Sequence, residues 1–113
     1  MTDHHLVWHK VAINIATIEW QPNNMAIVTA GEQQLTIIKQ GSTIMAFAHK
    51  CPHAGAVLAN GFLDAPGNVV CPLHHYRFNP FNGRNISGQG YHLKTYPVQQ
   101  LSDGVYIGIK ANR

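Results

Sequence analysis

Apolar residues in this chain fall in short runs cut off by turn-forming residues, with no sustained 3.6-residue periodicity and no internal repeat. That pattern predicts an all-β fold. Strands are expected over residues 7–13, 26–29, 35–39, 44–48, 69–71, 92–97 and 105–109. Turn signals separate several of them: Gln21-Pro22-Asn23-Asn24, Gln40-Gly41-Ser42, Ala65-Pro66-Gly67-Asn68, Asn82-Gly83 and Asp103-Gly104. Residues 35–48 read as one hairpin.

Length and charge narrow the class. A chain of 113 residues allows one domain with one modest core, and 45% hydrophobic content excludes a disordered chain. Eight Lys and Arg against five Asp and Glu give +3, but the charges are scattered and form no basic stripe, so no nucleic-acid partner is expected. The N-terminal Met-Thr-Asp-His-His-Leu has no basic stretch followed by an apolar run, and no window approaches the length of an apolar membrane span, so neither secretion nor membrane insertion is expected. With two cysteines and no need for an oxidising compartment, the expected location is cytoplasmic, where the sequon Asn85-Ile86-Ser87 carries no meaning.

Those two cysteines sit in Cys51-Pro52-His53 and Cys71-Pro72-Leu73-His74, each with a histidine one or two residues downstream. Two thiolates and two imidazoles suit either a tetrahedral zinc site or a [2Fe–2S] cluster in which two histidines replace two cysteines on one iron. The spacing C-x-H, seventeen residues, C-x-x-H gives each block one sulfur and one nitrogen, unlike the paired cysteines and paired histidines of a zinc finger.

The flanks extend the pattern: C-x-H-x-G-x-x-L-x-x-G is met by Cys51, His53, Gly55, Leu58 and Gly61, and C-P-x-H-x-x-x-F-x-x-x-x-G by Cys71, Pro72, His74, Phe78 and Gly83. The chain thus resembles the Rieske proteins, specifically the single-domain, low-potential Rieske-type ferredoxins. The resemblance implies an antiparallel β base over about 5–47 and 85–111 and a cluster-binding insertion over about 48–84, together one domain spanning 1–113. It further implies that Cys51 and Cys71 bind one iron while His53 and His74 bind the other, with the outer nitrogens of both histidines facing outward. Gly55 would let the backbone pass close to the cluster, where a Cβ would crowd it, and Pro52 and Pro72 would stiffen the loops.

Departures from the family's high-potential members are informative too. The two extra cysteines that staple the loops of those proteins are Ala56 and Leu73 here, and the hydroxyl-bearing residues near their cluster sulfurs are Tyr76 and Phe78. Phe78 donates no hydrogen bond, so the potential is expected toward the lower end of the roughly −150 to +300 mV Rieske range. Charge explains the use of histidine. Two ferric ions, two sulfides, two thiolates and two neutral imidazoles sum to near zero oxidised and near −1 reduced, which makes an electron easier to accept than at a four-thiolate cluster. Loss of an outer N–H proton is easier in the oxidised state, so the potential is expected to fall as pH rises through that ionisation.

Other features are assigned plainer roles. His75 neighbours a ligand and is read as an ordinary loop residue, and His4, His5, His9, His49 and His92 as surface or strand residues. Ser87-Gly88-Gln89-Gly90 lacks the ending and setting of a phosphate loop and is the candidate for the third loop that shields the cluster in the resembled family. Trp8, Trp20, Phe47, Phe62, Tyr91 and Tyr106 are read as core or partly buried packing, and Leu58, Phe78 and Phe81 as packing beneath the loops.

The function the resemblance implies is a soluble one-electron carrier, passing electrons from a flavin-containing ferredoxin reductase to a terminal oxygenase of the aromatic-ring dioxygenase type, with transient docking and no substrate chemistry of its own. A second 2-His-1-carboxylate iron domain, needed by catalytic Rieske oxygenases, is not expected in 113 residues. The alternatives are a small subunit of an assimilatory nitrite reductase-like complex and, from another class, a zinc-stabilised β interaction module. A Cys51–Cys71 disulfide would leave both histidines and both motifs unexplained.

Overall fold

A computed structural model describes residues 5–53 and 55–111. Among the described residues, ten strands form three antiparallel sheets. The central sheet has the order β2-β3-β4-β8, formed by Met25–Ala30, Gln33–Gln40, Thr43–Ala48 and Thr95–Tyr96. A second sheet joins the two ends of the described chain: β1 (Leu6–Ala12) pairs with β10 (Gly104–Lys110), which pairs with β9 (Val98–Leu101). The third and smallest is β5 (Phe62–Leu63), β6 (Val69–Val70) and β7 (Arg77–Phe78). One-turn 3-10 helices at Ile15–Thr17 and Leu58–Asn60 complete the elements.

Register decides which residues meet. Ala26 pairs with Ile37 and Ile37 with Ala46, so this row shares one face of the central sheet; Met25, Ile38 and Met45 form the adjacent row and share the other. The first row joins Leu35, Ile44, Val105, Ile107 and Tyr96 in a core against the β1-β10-β9 sheet. The second joins Phe47, Leu58, Val69, Phe78, Leu93 and both cysteines in a separate core against the small sheet. Strands β3 and β4 are therefore covered on both sides. That is why Leu35 to Ile38 and Ile44 to Phe47 read as near-continuous apolar runs rather than alternating ones.

The expected hairpin over 35–48 is β3-β4, turning at Gly41 with Gln40 opposite Thr43. The strand expected over 92–97 shrinks to Thr95–Tyr96, because the Leu93 N–H is taken by the Gly83 carbonyl instead of a strand neighbour. The half-polar Val98–Leu101 is an additional strand, at the edge of its sheet.

Several aromatic expectations need correcting. Phe81 does not pack beneath the loops: it is 70% exposed, because the Asn79 side chain accepts the N–H groups of Phe81 and Asn82 and turns the segment outward, leaving Pro80 buried. Phe62 and Tyr91 are also exposed. Trp8 lies over its cross-strand partner Gly108, where a Cβ would meet the indole at 3.2 Å. Phe47, Leu58 and Phe78 are fully buried as expected.

Candidate metal centre

Two loops rise from the small sheet and the end of β4, and they are built alike. In the first, Lys50 bridges to Val57 and the Cys51 N–H donates to the Ala56 carbonyl at 2.8 Å. In the second, Val70 pairs with Arg77 and the Cys71 N–H donates to the Tyr76 carbonyl, also at 2.8 Å. Each cysteine thus closes its own loop through its backbone, which leaves the side chain free for other work. Both loops need left-handed backbone to turn so tightly: Gly55 has φ +74°, and His74 and His75 have φ +67° and +58°. Histidine tolerates that region better than most residues, though not freely.

Gly55 is required by its positive φ, and no protein atom among the described residues lies within 4 Å of a Cβ placed there. Gly61, by contrast, is crowded, since a Cβ there would collide with the Val70 carbonyl oxygen.

The four predicted donors come together as two pairs. Cys51 and Cys71 are buried free thiols, close enough for one to influence the ionisation of the other. Burial pushes the Cys71 thiol above its usual range and the neighbouring Cys51 adds to this, against the pull of the Leu73 N–H directed at its sulfur. The His53 and His74 rings lie with centroids 5.2 Å apart. His53 Nδ1 is buried and has no hydrogen-bond partner, an unsatisfied lone pair or N–H of the kind that native interiors rarely leave. Among the described residues no three His, Cys, Asp or Glu side chains are grouped to hold a single metal ion. A pair of buried thiols and a separate pair of neighbouring imidazoles, with a ligand-type nitrogen left orphaned, fit a two-iron group held by two donors at each iron.

The two histidines are not equivalent. His74 is exposed, whereas His53 is half-buried and stacked on Tyr76 with centroids 4.1 Å apart and planes at 19°. Tyr91 closes on the same pair, 5.3 Å from His53 and 5.8 Å from Tyr76. It is delivered by the Ser87–Gly90 stretch, which is hung on β7: Arg77 N–H donates to Ser87 Oγ and Ile86 N–H to the Arg77 carbonyl. The resemblance places Tyr76 near a cluster sulfur but does not foresee its stack on His53, and Tyr91 is expected only to pack; the available signals were an aromatic two residues after His74 and another closing a glycine-rich loop. His75 instead meets Phe62, edge on at 6.4 Å. His49 is outside the site; burial, with the charge of Lys50, holds its imidazole below the usual range.

The Rieske [2Fe-2S] domain model matches residues 8–97. The ferredoxin component of the naphthalene 1,2-dioxygenase system of Pseudomonas aeruginosa is 30% identical over 96 residues, which are 84% of this chain and 91% of that one. A chain in the complex of reduced oxygenase and oxidized ferredoxin of carbazole 1,9a-dioxygenase superposes with a TM-score of 0.76 at 26% identity, over 96% of this chain and all of that one. A Mycobacterium tuberculosis chain described as an NADH-dependent nitrite reductase small subunit superposes at 0.79 and 18% identity over 96% and 99%, a likeness of fold alone. With the matched stretch taking in both loops and the sheets beneath them, the chain belongs to the Rieske [2Fe-2S] domain family.

Proposed function

We propose that this chain is a one-electron carrier whose Rieske [2Fe–2S] cluster is bound by Cys51 and Cys71 at one iron and by His53 and His74 at the other. It passes electrons from a flavoprotein ferredoxin reductase to a terminal oxygenase of the aromatic-ring dioxygenase type. The ligand set rests on one observation above all: the imidazole pair of His53 and His74, in which the buried His53 Nδ1 has no hydrogen-bond partner, in a chain whose two cysteines are both buried and free. The carrier role draws support from the relatives that are ferredoxin components of oxygenase systems.

The bound cluster supplies a site that takes up and returns one electron. The residues do the rest. The closed loops hold both sulfurs out of water, and the Leu73 N–H is directed at Cys71 Sγ, where it stabilises negative charge. His74 offers an exposed ring to a docking partner, with the exposed apolar side chain of Leu73 next to it in the chain. Phe78, buried beneath the loops, provides no hydroxyl, which favours a potential in the lower Rieske range.

The division of labour is between a β base, about 5–47 and 85–111, and an insertion of about 48–84 that carries the small sheet and both loops; it is supported by the second core, which gathers around the insertion. The carrier performs no substrate chemistry itself and works in the cytoplasm, where reducing conditions keep both thiols available to iron. No helix among the described residues is long and apolar enough to cross a membrane.

Visible absorption and low-temperature EPR before and after dithionite, with iron, sulfide and zinc assayed on the same sample, test the proposal. A reddish-brown protein with a dithionite-induced signal of low average g is expected. A colourless, zinc-containing protein without sulfide would overturn the proposal in favour of a structural module.

A further inference from the structure

We propose that Tyr76 and Tyr91 are positioning residues that cover His53, fix the plane of its ring and keep water from its face, so that His74 is the one open histidine of the pair. This rests on the ligand assignment made above.

The geometry separates the two histidines. Tyr76 lies nearly parallel to the His53 imidazole at 4.1 Å, a contact that resists rotation of the ring about its side-chain bonds. Tyr91 braces both, tilted against His53 and against Tyr76. The brace has its own anchor. Gln89 N–H donates to Asn85 Oδ1 at 2.6 Å, Asn85 bridges to Phe78, and glycines at φ +91° and +86° let the chain double back to present Tyr91. The only ring against His74 among the described residues is that of His53 itself, tilted at 52°.

Neither tyrosine hydroxyl makes a hydrogen bond among the described residues, so the rings, rather than the phenol oxygens, provide the contact. The consequence for the electron has a definite sign. The reduced site carries one more negative charge than the oxidised one, and water stabilises that charge better than an aromatic face does. Covering His53 therefore holds the potential down, and uncovering it raises the potential.

The test uses the cluster-containing protein with 15N-labelled histidine. Pulsed EPR of the reduced wild type must report two coupled histidine nitrogens; a spectrum without them overturns the ligand assignment and the cover together. With both present, Tyr76→Ala is expected to favour the reduced state about tenfold, a shift of about 59 mV to higher potential for one electron. One of the two nitrogen couplings should change and the other stay. Tyr76→Phe, which keeps the ring, should match wild type in both readouts. If Tyr76→Ala does not retain a cluster, Tyr91→Ala at the exposed end of the stack decides, with a smaller shift in the same direction. Wild-type potential and couplings in these alanine variants would overturn the cover while leaving the ligands standing.

Discussion

The Asn23 side-chain amide donates to the Gly61 carbonyl at 2.9 Å, across 38 positions of chain. It also donates to the Ala59 carbonyl at 2.9 Å, which Gln21 Nε2 reaches at 2.7 Å, while Asn23 Oδ1 accepts the Met25 N–H at 3.1 Å. Two amides at the entry to β2 thus pin the turn that follows the first metal loop. Asn23→Ala leaves two carbonyls and an N–H without these partners and is expected to destabilise the fold by about 1–3 kcal/mol. Denaturant unfolding checks this: the midpoint should fall with the slope unchanged, and an unmoved midpoint would show that water replaces the clasp at no cost.

Asp64 makes a comparable clasp on the far side of the insertion. Its carboxylate accepts the Asn68 N–H at 2.7 Å and the Arg77 guanidinium at 2.9 Å, with its side chain 13% exposed. Burial alone would raise its pKa, but the hydrogen bonds from Asn68 and Arg77 outweigh burial and hold it below the ordinary 3.8. The unfolded chain therefore takes up the proton first. The clasp contributes fully above pH 3.8 and is lost as pH falls through the lower folded value. Asp64→Asn is expected to cost about 1–2 kcal/mol at neutral pH and nearly nothing once the wild-type carboxyl is protonated. Parallel stability-versus-pH curves for the two proteins would contradict this.

The glycines of the first loop region should differ sharply. Gly61→Ala drives a methyl into the Val70 carbonyl, which must move and take the β5-β6 pairing with it, so a loss of about 3 kcal/mol or more is expected. Gly55→Ala meets no protein atom among the described residues and bears the left-handed backbone cost of about 1–2 kcal/mol. Melting temperatures of the two variants should rank in that order.

Removing the metal should loosen the loops before the sheets. The amides of Cys51 and Cys71, each bonded to its own loop, are expected to exchange faster in the apo protein, while those of β3 and β4, shielded on both faces, keep their protection. Hydrogen exchange on chelated and intact protein checks it. Uniform loss of protection would mean that the base depends on the metal as well.

The strands legible in the sequence were those with apolar runs covered on two faces, such as 35–39 and 44–48. The two-residue strands Phe62–Leu63 and Arg77–Phe78 carry too few residues to show a period, and Val98–Leu101 hides its strand behind two glutamines. At the site, Cys51, His53, Cys71 and His74 stand out in the sequence because ligand chemistry demands fixed residue types at fixed spacing, and the structure buries both cysteines and brings the two histidine rings to 5.2 Å. The stacking of Tyr76 and Tyr91 on His53 does not stand out, because it depends on the shape of a loop held by Ser87 and Asn85 side chains, which spacing does not encode. Phe81 was misread for the same reason: an Asx turn at Asn79 decided its direction.

The pairing of β1 with β10 has a different kind of consequence. Leu6 lies opposite Lys110, and the Ala111 N–H still donates to the His5 carbonyl at 3.0 Å, so the described chain enters and leaves as neighbouring strands of one sheet. An assembly of this shape behaves as a plug-in cartridge: a host polypeptide can splice it in at a single point on its surface, or a short peptide can join its two ends and new ones be opened at the Gly31 turn between β2 and β3, without rethreading either metal loop.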